Sequence, residues 1–425
     1  MLIYGLLLCG GVWLNFALRR EYWRAALRQI VANRVAMASF GILCLYGTIG
    51  FLDTLHFRQV SPEAPKGGNI QSVLDVFCAP LIANTERTYS APFAVFSFAK
   101  ENIITPDGRQ IREYPRLQFA GNSLQDPNDK IFDVRAKLFH GIGWGLGIGA
   151  LLFFVAHRLS RQMWIATFLL VVSVVVTTVA MVSPYYHILG TDKTGQDVFY
   201  IALKSVRTGL IIGTLTTLIV TPFAILCGVL AGYLGGWVDD IIQYVYSTLE
   251  SIPDILLIAA AMLIFQVGLT EEETIISADK RLVYLCLIMG ITSWTGLCRL
   301  LRAEVLKLRE IEYVQAADAF GVSRVRIMLR HLVPNVMHIV LISIVLRFSG
   351  LVLAEAVLAY VGIGVDPSMQ SWGNMINQAR LELAREPVVW WNLFAAFVFM
   401  LGLVLPANLF GDAVRDALDP RLRTR

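Results

Sequence analysis

The stretch RLLRAEVLKLREIEYVQAADAFGVSRVRIMLRHLVPN, residues 299–335, is the most charged segment between long apolar runs, and the organisation of the chain follows from it. Tyr313, Ala316, Ala317 and Phe320 recur at i, i+3, i+4 and i+7, which predicts a short helix with one small and aromatic face while Gln315 and Asp318 point elsewhere. Gly321 breaks that helix. Val325, Met328, Leu329 and Leu332 repeat the spacing in a second helix, with Arg324, Arg326 and Arg330 on its other side, until Pro334 ends the pattern. A loop this basic between membrane spans belongs in the cytoplasm. Its apolar knuckle needs a cover, and periodicity leaves two open: a groove on a soluble partner or the membrane interface itself.

Of the 425 residues 56% are hydrophobic and 16% charged, against about a quarter charged in an ordinary soluble domain, so the chain reads as a polytopic membrane protein. The net charge of +4 is small, and Lys and Arg cluster at helix ends and in one loop, which marks topology rather than a nucleic-acid surface. Cys9, Cys44, Cys227, Cys286 and Cys298 lie in or beside apolar spans, Cys78 does not, and no CxxC or Cys/His ligand spacing joins them; this argues against a disulfide framework and against a zinc site. The histidines, among them His187 and His331 in loops and His338 at the start of a span, read as surface or packing residues. There is no GxxxxGK[ST], so the chain does not bind ATP through a P-loop, and no catalytic, metal-ligating or cofactor-binding set is assigned to it.

Residues 2–18, LIYGLLLCGGVWLNFAL, have no basic residue ahead of them and Arg19 and Arg20 behind, which predicts a span with its N-terminus outside rather than a signal peptide. Arg19, Arg20, Arg24, Arg28 and Arg34 mark cytoplasm, and a second span near 35–55 returns the chain outside. Residues 57–139 change character, with a β-prone run SAPFAVFSF and a turn at Pro106, Asp107 and Gly108 between Ile104 and Ile111, and predict a small extracytoplasmic α+β or β-rich insertion. Residues 140–182 predict a helical hairpin with arms near 141–156 and 164–182, and Gly141, Gly145 and Gly149 suit close approach by another helix. After YYHILGTDKTGQDVFY come five more spans, near 202–233, 244–267, 282–301, 336–361 and 389–410. About nine spans that begin outside end inside, which agrees with the basic tail 415–425 and places the 299–335 loop inside as well.

EYVQAADAFGVSRVRIMLRHLVPN resembles the cytoplasmic coupling loop of ABC importer permeases, whose pattern is Glu-Ala-Ala, three residues, Gly, nine residues, Ile-any-Leu-Pro. Ala316, Ala317, Gly321 and Pro334 match, while Gln315 stands for the Glu, His331 for the Ile and Val333 for the Leu. HILGTDKTGQDVF, with Gln196 where Arg is usual, AGYLGGWVDD, ESIPDILL, EAVLAYVGIGVDPSMQSWGNMI and NLFGDAVRDALDPRLR resemble further segments of the dipeptide and oligopeptide permeases of the C type, a branch with nickel-transporting relatives. The resemblance covers 183–425 and the span near 21–56. It implies an all-α polytopic protein with a six-helix type I importer core, made of a first core helix at 21–56 and the permease domain at 183–425; the anchor at 1–20, the periplasmic insertion at 57–139 and the extra hairpin at 140–182 exceed that pattern, and the resemblance says nothing of what they do.

The same resemblance implies a place in the bacterial inner membrane, where the flanking charges and the span count set the N-terminus in the periplasm and the C-terminus in the cytoplasm. It implies partners: a second permease subunit, two ATPase subunits that bind ATP and Mg²⁺, a periplasmic solute-binding protein and the lipid bilayer, with no nucleic acid. It gives Tyr313, Gln315, Ala316, Ala317, Phe320, Gly321 and Pro334 the work of coupling to the ATPase. From the residues themselves, Arg347 and Glu355 are ionisable groups within one span and so candidates for a gate or substrate path, with a bond to a neighbouring helix an equal reading for Glu355. Pro253, flanked by Glu250 and Asp254, predicts a kink that frees a backbone carbonyl. Two other classes stand beside the importer: a self-contained secondary transporter or channel, which predicts buried acid and base pairs or repeated broken helices, and an anchored receptor working through residues 57–139.

Overall fold

The computed structural model describes residues 21–59, 69–104, 110–122, 124–160, 163–267 and 278–418. The span expected at 2–18 lies outside them. Helix α1 (Glu21–Ala32) ends at Asn33, whose side-chain oxygen accepts the backbone N–H groups of Val35 and Ala36 and so starts α2 (Arg34–Thr54). Strands β1 (His56–Gln59) and β2 (Asn69–Ser72) pair antiparallel with His56 opposite Ser72. Ser72 and Asp75 then form a capping box that opens the short helix α3 (Val73–Phe77), followed by α4 (Ala79–Ala83). A second antiparallel pair, β3 (Glu101–Ile104) with β4 (Gln110–Glu113), sets Ile103 opposite Ile111, as the hairpin reading requires; its turn lies outside the described residues.

The run SAPFAVFSF is not a strand. Apart from one bridge between Phe96 and Arg116 it is irregular, because its backbone pairs with the loop before the core. Phe93 donates to the His187 carbonyl at 2.9 Å, and Ser90 accepts from Thr191 at 3.1 Å. A β-prone composition yields here to a better set of partners for the same backbone groups.

Helices α5 (Lys130–Ser160) and α6 (Met163–Val182) form the expected hairpin, but α5 begins well before residue 141. Its polar first turns, tied by Lys137 and Tyr186 to Asp133, carry no apolar periodicity and so read as loop. The glycines face the other arm. A Cβ on Gly141 would lie 2.7 Å from the Thr178 Cα and one on Gly145 2.5 Å from the Val174 Cα, while Thr177 and Ser173 donate to the carbonyls of Gly141 and Gly145, each at 3.1 Å.

The core follows: α7 (Val198–Leu234), α8 (Gly236–Glu250), α9 (Asp254–Val267), α10 (Ala278–Thr292), α11 (Thr295–Arg309), α12 (Glu312–Ala319), α13 (Arg324–Ile327), a π turn at Met328–Leu332, α14 (Val333–Tyr360), α15 (Trp372–Glu382) and α16 (Trp391–Leu418). Among the described residues seven helical stretches are long and apolar enough to cross a membrane, with an eighth if α8 and α9 are one span. These are the eight expected spans that fall within the described residues. Two bends differ from expectation. Pro253 does not merely kink a span: α8 and α9 meet at 90°. The carbonyl of Leu249, four residues before the proline, is met by the Ile252 N–H at 3.2 Å. Pro334 does not end its helix either. The π turn before it shifts the bonding register by one residue, so the missing proline N–H falls in the first turn of α14, where it costs little.

The insertion is fastened to the core by a buried charge cluster. Glu86 accepts from the backbone N–H groups of Gln118 (2.9 Å), Phe119 (2.9 Å) and Ala120 (3.1 Å) and lies 3.8 Å from His187, whose other ring nitrogen is 2.7 Å from Asp197, the N-cap of α7. His187 is thus neither a surface nor a simple packing residue. Gly195, at φ +76°, passes so close to Glu86 that a Cβ would overlap its carbonyl. Burial opposes both charges, yet the hydrogen bonds outweigh it: the Glu86 carboxyl is held down to about 2 and the His187 imidazole is pushed up to about 9.

The signs then fix a window. His187, raised from 6.5, stabilises the clasp fully below pH 6.5 and ceases to do so as pH rises through 9; Glu86, lowered from 4.5, stabilises it above pH 4.5 and ceases to do so as pH falls towards 2. Hydrogen exchange of residues 84–122 is therefore expected to slow most between pH 4.5 and 6.5 after correction for intrinsic rates and to lose protection towards pH 9, with His187→Asn abolishing the alkaline change; a flat corrected profile in the wild type would refute the charged imidazole. In the hairpin, Gly145→Leu is expected to destabilise by about 1–3 kcal/mol, read as a lower thermal midpoint in detergent. Gly143→Leu, whose Cβ direction meets nothing within 4 Å, should leave that midpoint unchanged.

Candidate functional site

The 299–335 loop stands on a braced platform. Gly228 and Gly232 let α7 lie against α11 so closely that a Cβ on either would sit 2.8 Å from the Leu301 Cβ or 2.7 Å from the Val305 Cβ. Arg302 grips Asp239 on α8 with two hydrogen bonds of 2.5 and 2.6 Å, and Arg299 reaches Glu250 at 2.8 Å. Around them Tyr233, Leu301, Val305, Val314, Ile327 and Leu332 form one buried cluster.

The loop is built as helix, glycine, helix. Gly321 has φ +72°, and the N–H groups of Gly321 and Val322 return to the carbonyls of Asp318 (2.9 Å) and Ala317 (3.1 Å), a Schellman closure that needs a left-handed residue at this position. The two halves are latched: the Asn335 amide donates to the Tyr313 hydroxyl at 2.8 Å and to the His331 carbonyl at 2.6 Å, and the rings of Tyr313 and His331 lie 6.0 Å apart. Val314, Ile327 and Leu332 turn inward. What remains outside is apolar: Phe320 is 87% exposed, Leu329 65%, Val325 61% and Tyr313 42%. Ala316 and Gln315 are exposed beside them, and Arg324, Arg326 and Arg330 form a basic border. Ala317 departs from the expected face, being half-buried against the core cluster.

Arg347 and Glu355 each lie against a helix end, and one oxygen of Glu355 has no hydrogen-bond partner among the described residues. Arg347 on α14 donates to the Ser293 carbonyl at 2.5 Å, at the break where α10 stops and α11 begins. Glu355 is buried beneath the first turn of α15, where a Cβ on Gly373 would fall 2.7 Å and 2.9 Å from its oxygens. A cation thus meets a helix C-terminus and an anion meets an N-terminus, as the helix dipole favours. α15 is itself pinned to α7, with the Trp372 indole donating to the Ala202 carbonyl at 2.9 Å and Thr208 to Gln370 at 2.7 Å. Arg347, Glu355 and Pro253 are therefore not gathered into one site. Periodicity missed Asn335, Arg302 and Asp239, whose partners come from other elements, although an Arg within the apolar side of α11 was a signal of a buried ion pair.

Residues 224–424 match the family described as binding-protein-dependent transport system inner membrane component. The dipeptide transport system permease protein of Bacillus subtilis (strain 168) is 32% identical over 237 residues, covering 56% of this chain and 69% of that protein. The oligopeptide transport system permease protein of Mycobacterium tuberculosis (strain ATCC 25618 / H37Rv) is 35% identical over 238 residues, 56% of this chain and 77% of the relative. The glutathione transport system permease protein of Pectobacterium atrosepticum is 31% identical over 238 residues, 56% of this chain and 74% of the relative. The 299–335 loop lies inside the family match, whereas the insertion and the α5–α6 hairpin precede it. The chain is a multi-pass membrane protein and belongs to the family of binding-protein-dependent transport system inner membrane components.

Proposed function

We propose that this chain is the permease subunit of an ATP-driven peptide importer and that the exposed rim of the 299–335 loop seats in a groove on a separate ATPase subunit. The observation that carries this reading is the pairing of a braced platform with an uncovered apolar rim, Tyr313, Phe320, Val325 and Leu329, edged by arginines. An interfacial helix pair would not need its halves latched to each other and to two spans. A groove-seated lever does. The peptide class follows the dipeptide and oligopeptide transport systems to which the relatives belong. In this reading the loop is cytoplasmic, the insertion faces the periplasm, and the chain works with a second permease subunit, two ATPase subunits that bind ATP and Mg²⁺, and a periplasmic binding protein. The chain itself catalyses nothing.

The mechanism is mechanical. Closure of the two ATPase subunits on ATP moves their grooves, and the seated loop moves with them. Val314, Ile327 and Leu332 pass the displacement into the cluster shared with α7 and α11, while the continuous helix from α13 through α14 carries it along a second span. A rigid path is required, because a flexible loop would absorb the motion in its own rotamers and dihedrals. Arg347 and Glu355, the base and acid that a secondary transporter would use, lie at separate helix ends and do not pair with each other.

Phe320→Asp is expected to weaken capture of the ATPase subunit by about 30-fold or more, the cost of losing a buried aromatic anchor. Measured by co-purification from gently solubilised membranes, undiminished capture would count against the groove. Ala316→Trp, directed into open space, and Gly321→Trp, which also strains the left-handed turn, are expected to leave membrane insertion intact but uncouple ATP hydrolysis from uptake. Normal uptake in both would sink the lever. Ala317→Trp tests something else, since its half-buried side chain strains the loop's own packing.

A further inference from the structure

The α5–α6 hairpin, which precedes the family match, meets the bundle at α2: the Phe168 ring lies so close to Gly41 that a Cβ there would stand 2.9 Å from it. Beside that contact the two helices leave a groove of about 850 Å³. Ile42 and Leu45 of α2 form one wall, and Val171, Val172, Val175 and Val176 of α6 form the other. Val171, Val175 and Val176 are each more than half exposed, so the groove is open along its length. Thr167 also lines it, but its hydroxyl donates to the Met163 carbonyl at 2.9 Å. Charge sits at one end only. Arg34, the first residue of α2, lines the groove together with Met163 and Trp164, the first residues of α6. The Arg34 side chain is exposed and has no ion-pair partner among the described residues. No acidic side chain lines the groove among those residues, and the last turn of α5, which leads round to α6, adds Arg158.

The dimensions fit one leaflet of a membrane. From Arg34 to Leu45 and from Met163 to Val176 the walls run about 16 and 20 Å at helical rise, against a hydrocarbon core about 30 Å thick in two leaflets. An arginine and a tryptophan at the same end mark a membrane interface. Another helix packed here would call for small residues, as Gly141, Gly145 and Gly149 provide between α5 and α6. These walls are instead branched aliphatic side chains, stiff at χ1 where they are valine, which suit a flexible acyl chain. α1 lies on α14 and α16 through Ala26 and Ile30, and sets about 18 Å of helix between the apolar run 2–18 and Arg34. A guanidinium takes a phosphate through two parallel hydrogen bonds. A zwitterionic headgroup brings an ammonium beside that phosphate, which opposes the arginines; an anionic headgroup does not.

We infer that the groove between α2 and α6 holds an acyl chain of an anionic phospholipid, with the phosphate on Arg34, and that this lipid joins the hairpin to the first core helix. The site takes from the importer reading only the side of the membrane, which puts the Arg34 end in the cytoplasmic leaflet.

The test uses the full-length chain in phosphatidylcholine nanodiscs that carry a trace of photoreactive lipid, either phosphatidylglycerol or phosphatidylcholine with a diazirine midway along one acyl chain. Adducts are mapped by mass spectrometry after irradiation. The phosphatidylglycerol probe is expected to label residues 38–45 and 167–176 about fivefold more than the phosphatidylcholine probe, the preference that one arginine gives near an anionic headgroup, and Arg34→Gln is expected to abolish that difference. Val171→Trp, which fills the groove from an exposed position, is expected to lower labelling there by a similar factor, whereas Leu151→Trp, exposed on α5 outside the groove, leaves it unchanged. Equal labelling of the groove by the two probes overturns the inference, as does a preference that survives Arg34→Gln. Absence of lipid adducts from the groove, with residues 2–18 or a second copy of the chain crosslinked to α6 by an amine-free photoreactive residue at 171, overturns it as well. No readout involves ATP or uptake, so failure here and failure of the importer reading are distinguishable.

Discussion

The backbone approach of α7 to α11 at Gly228 and Gly232 is the constraint on which the rest of the molecule depends. A side chain at either position would force the helices apart, because its Cβ would lie 2.8 or 2.7 Å from a facing Cβ, and the cluster around Leu301, Val305 and Val314 would loosen. Without that closure Arg302 could not reach Asp239, and the loop would hang from a single helix. Close packing of this kind is stiff because dispersion contacts fall away steeply with separation. A stiff footing turns an exposed apolar rim into a lever.

The same economy appears in the spans. Charged groups are costly in a bilayer-spanning helix, and Arg347 and Glu355 lie against a broken helix C-terminus and a helix N-terminus instead of each other. At the end of the bundle away from the 299–335 loop, Glu86, His187 and Asp197 bind the insertion to the segment that begins α7. Gly190 and Gly195, both at positive φ, admit the insertion's backbone at the points of contact. Asp53 and one oxygen of Glu355 are buried too, without a hydrogen-bond partner among the described residues.

How much of this is legible in the sequence depends on the range of the interaction. The eight described spans follow from apolar length, and Phe320 and Gly321 follow from local spacing, since both are set by a helix and its C-cap. Ala317 turns inward although its spacing groups it with Phe320, because a four-residue stripe does not say which edge of it meets the protein. Pro334 reads as a stop, but a π turn upstream moves the register and lets α14 run on. SAPFAVFSF reads as a strand until its backbone partners, far off in the chain, are known. His187 looked like packing for the same reason: nothing near it in sequence announces Glu86.

The central claim is that the rim around Phe320 is covered by an ATPase. The most direct measurement replaces Phe320 with a photoreactive phenylalanine analogue, irradiates intact cells and identifies the adducts by mass spectrometry. Crosslinking to a polypeptide that carries a nucleotide-binding P-loop is the predicted result. Adducts confined to lipid, or to a second copy of this chain, would contradict it.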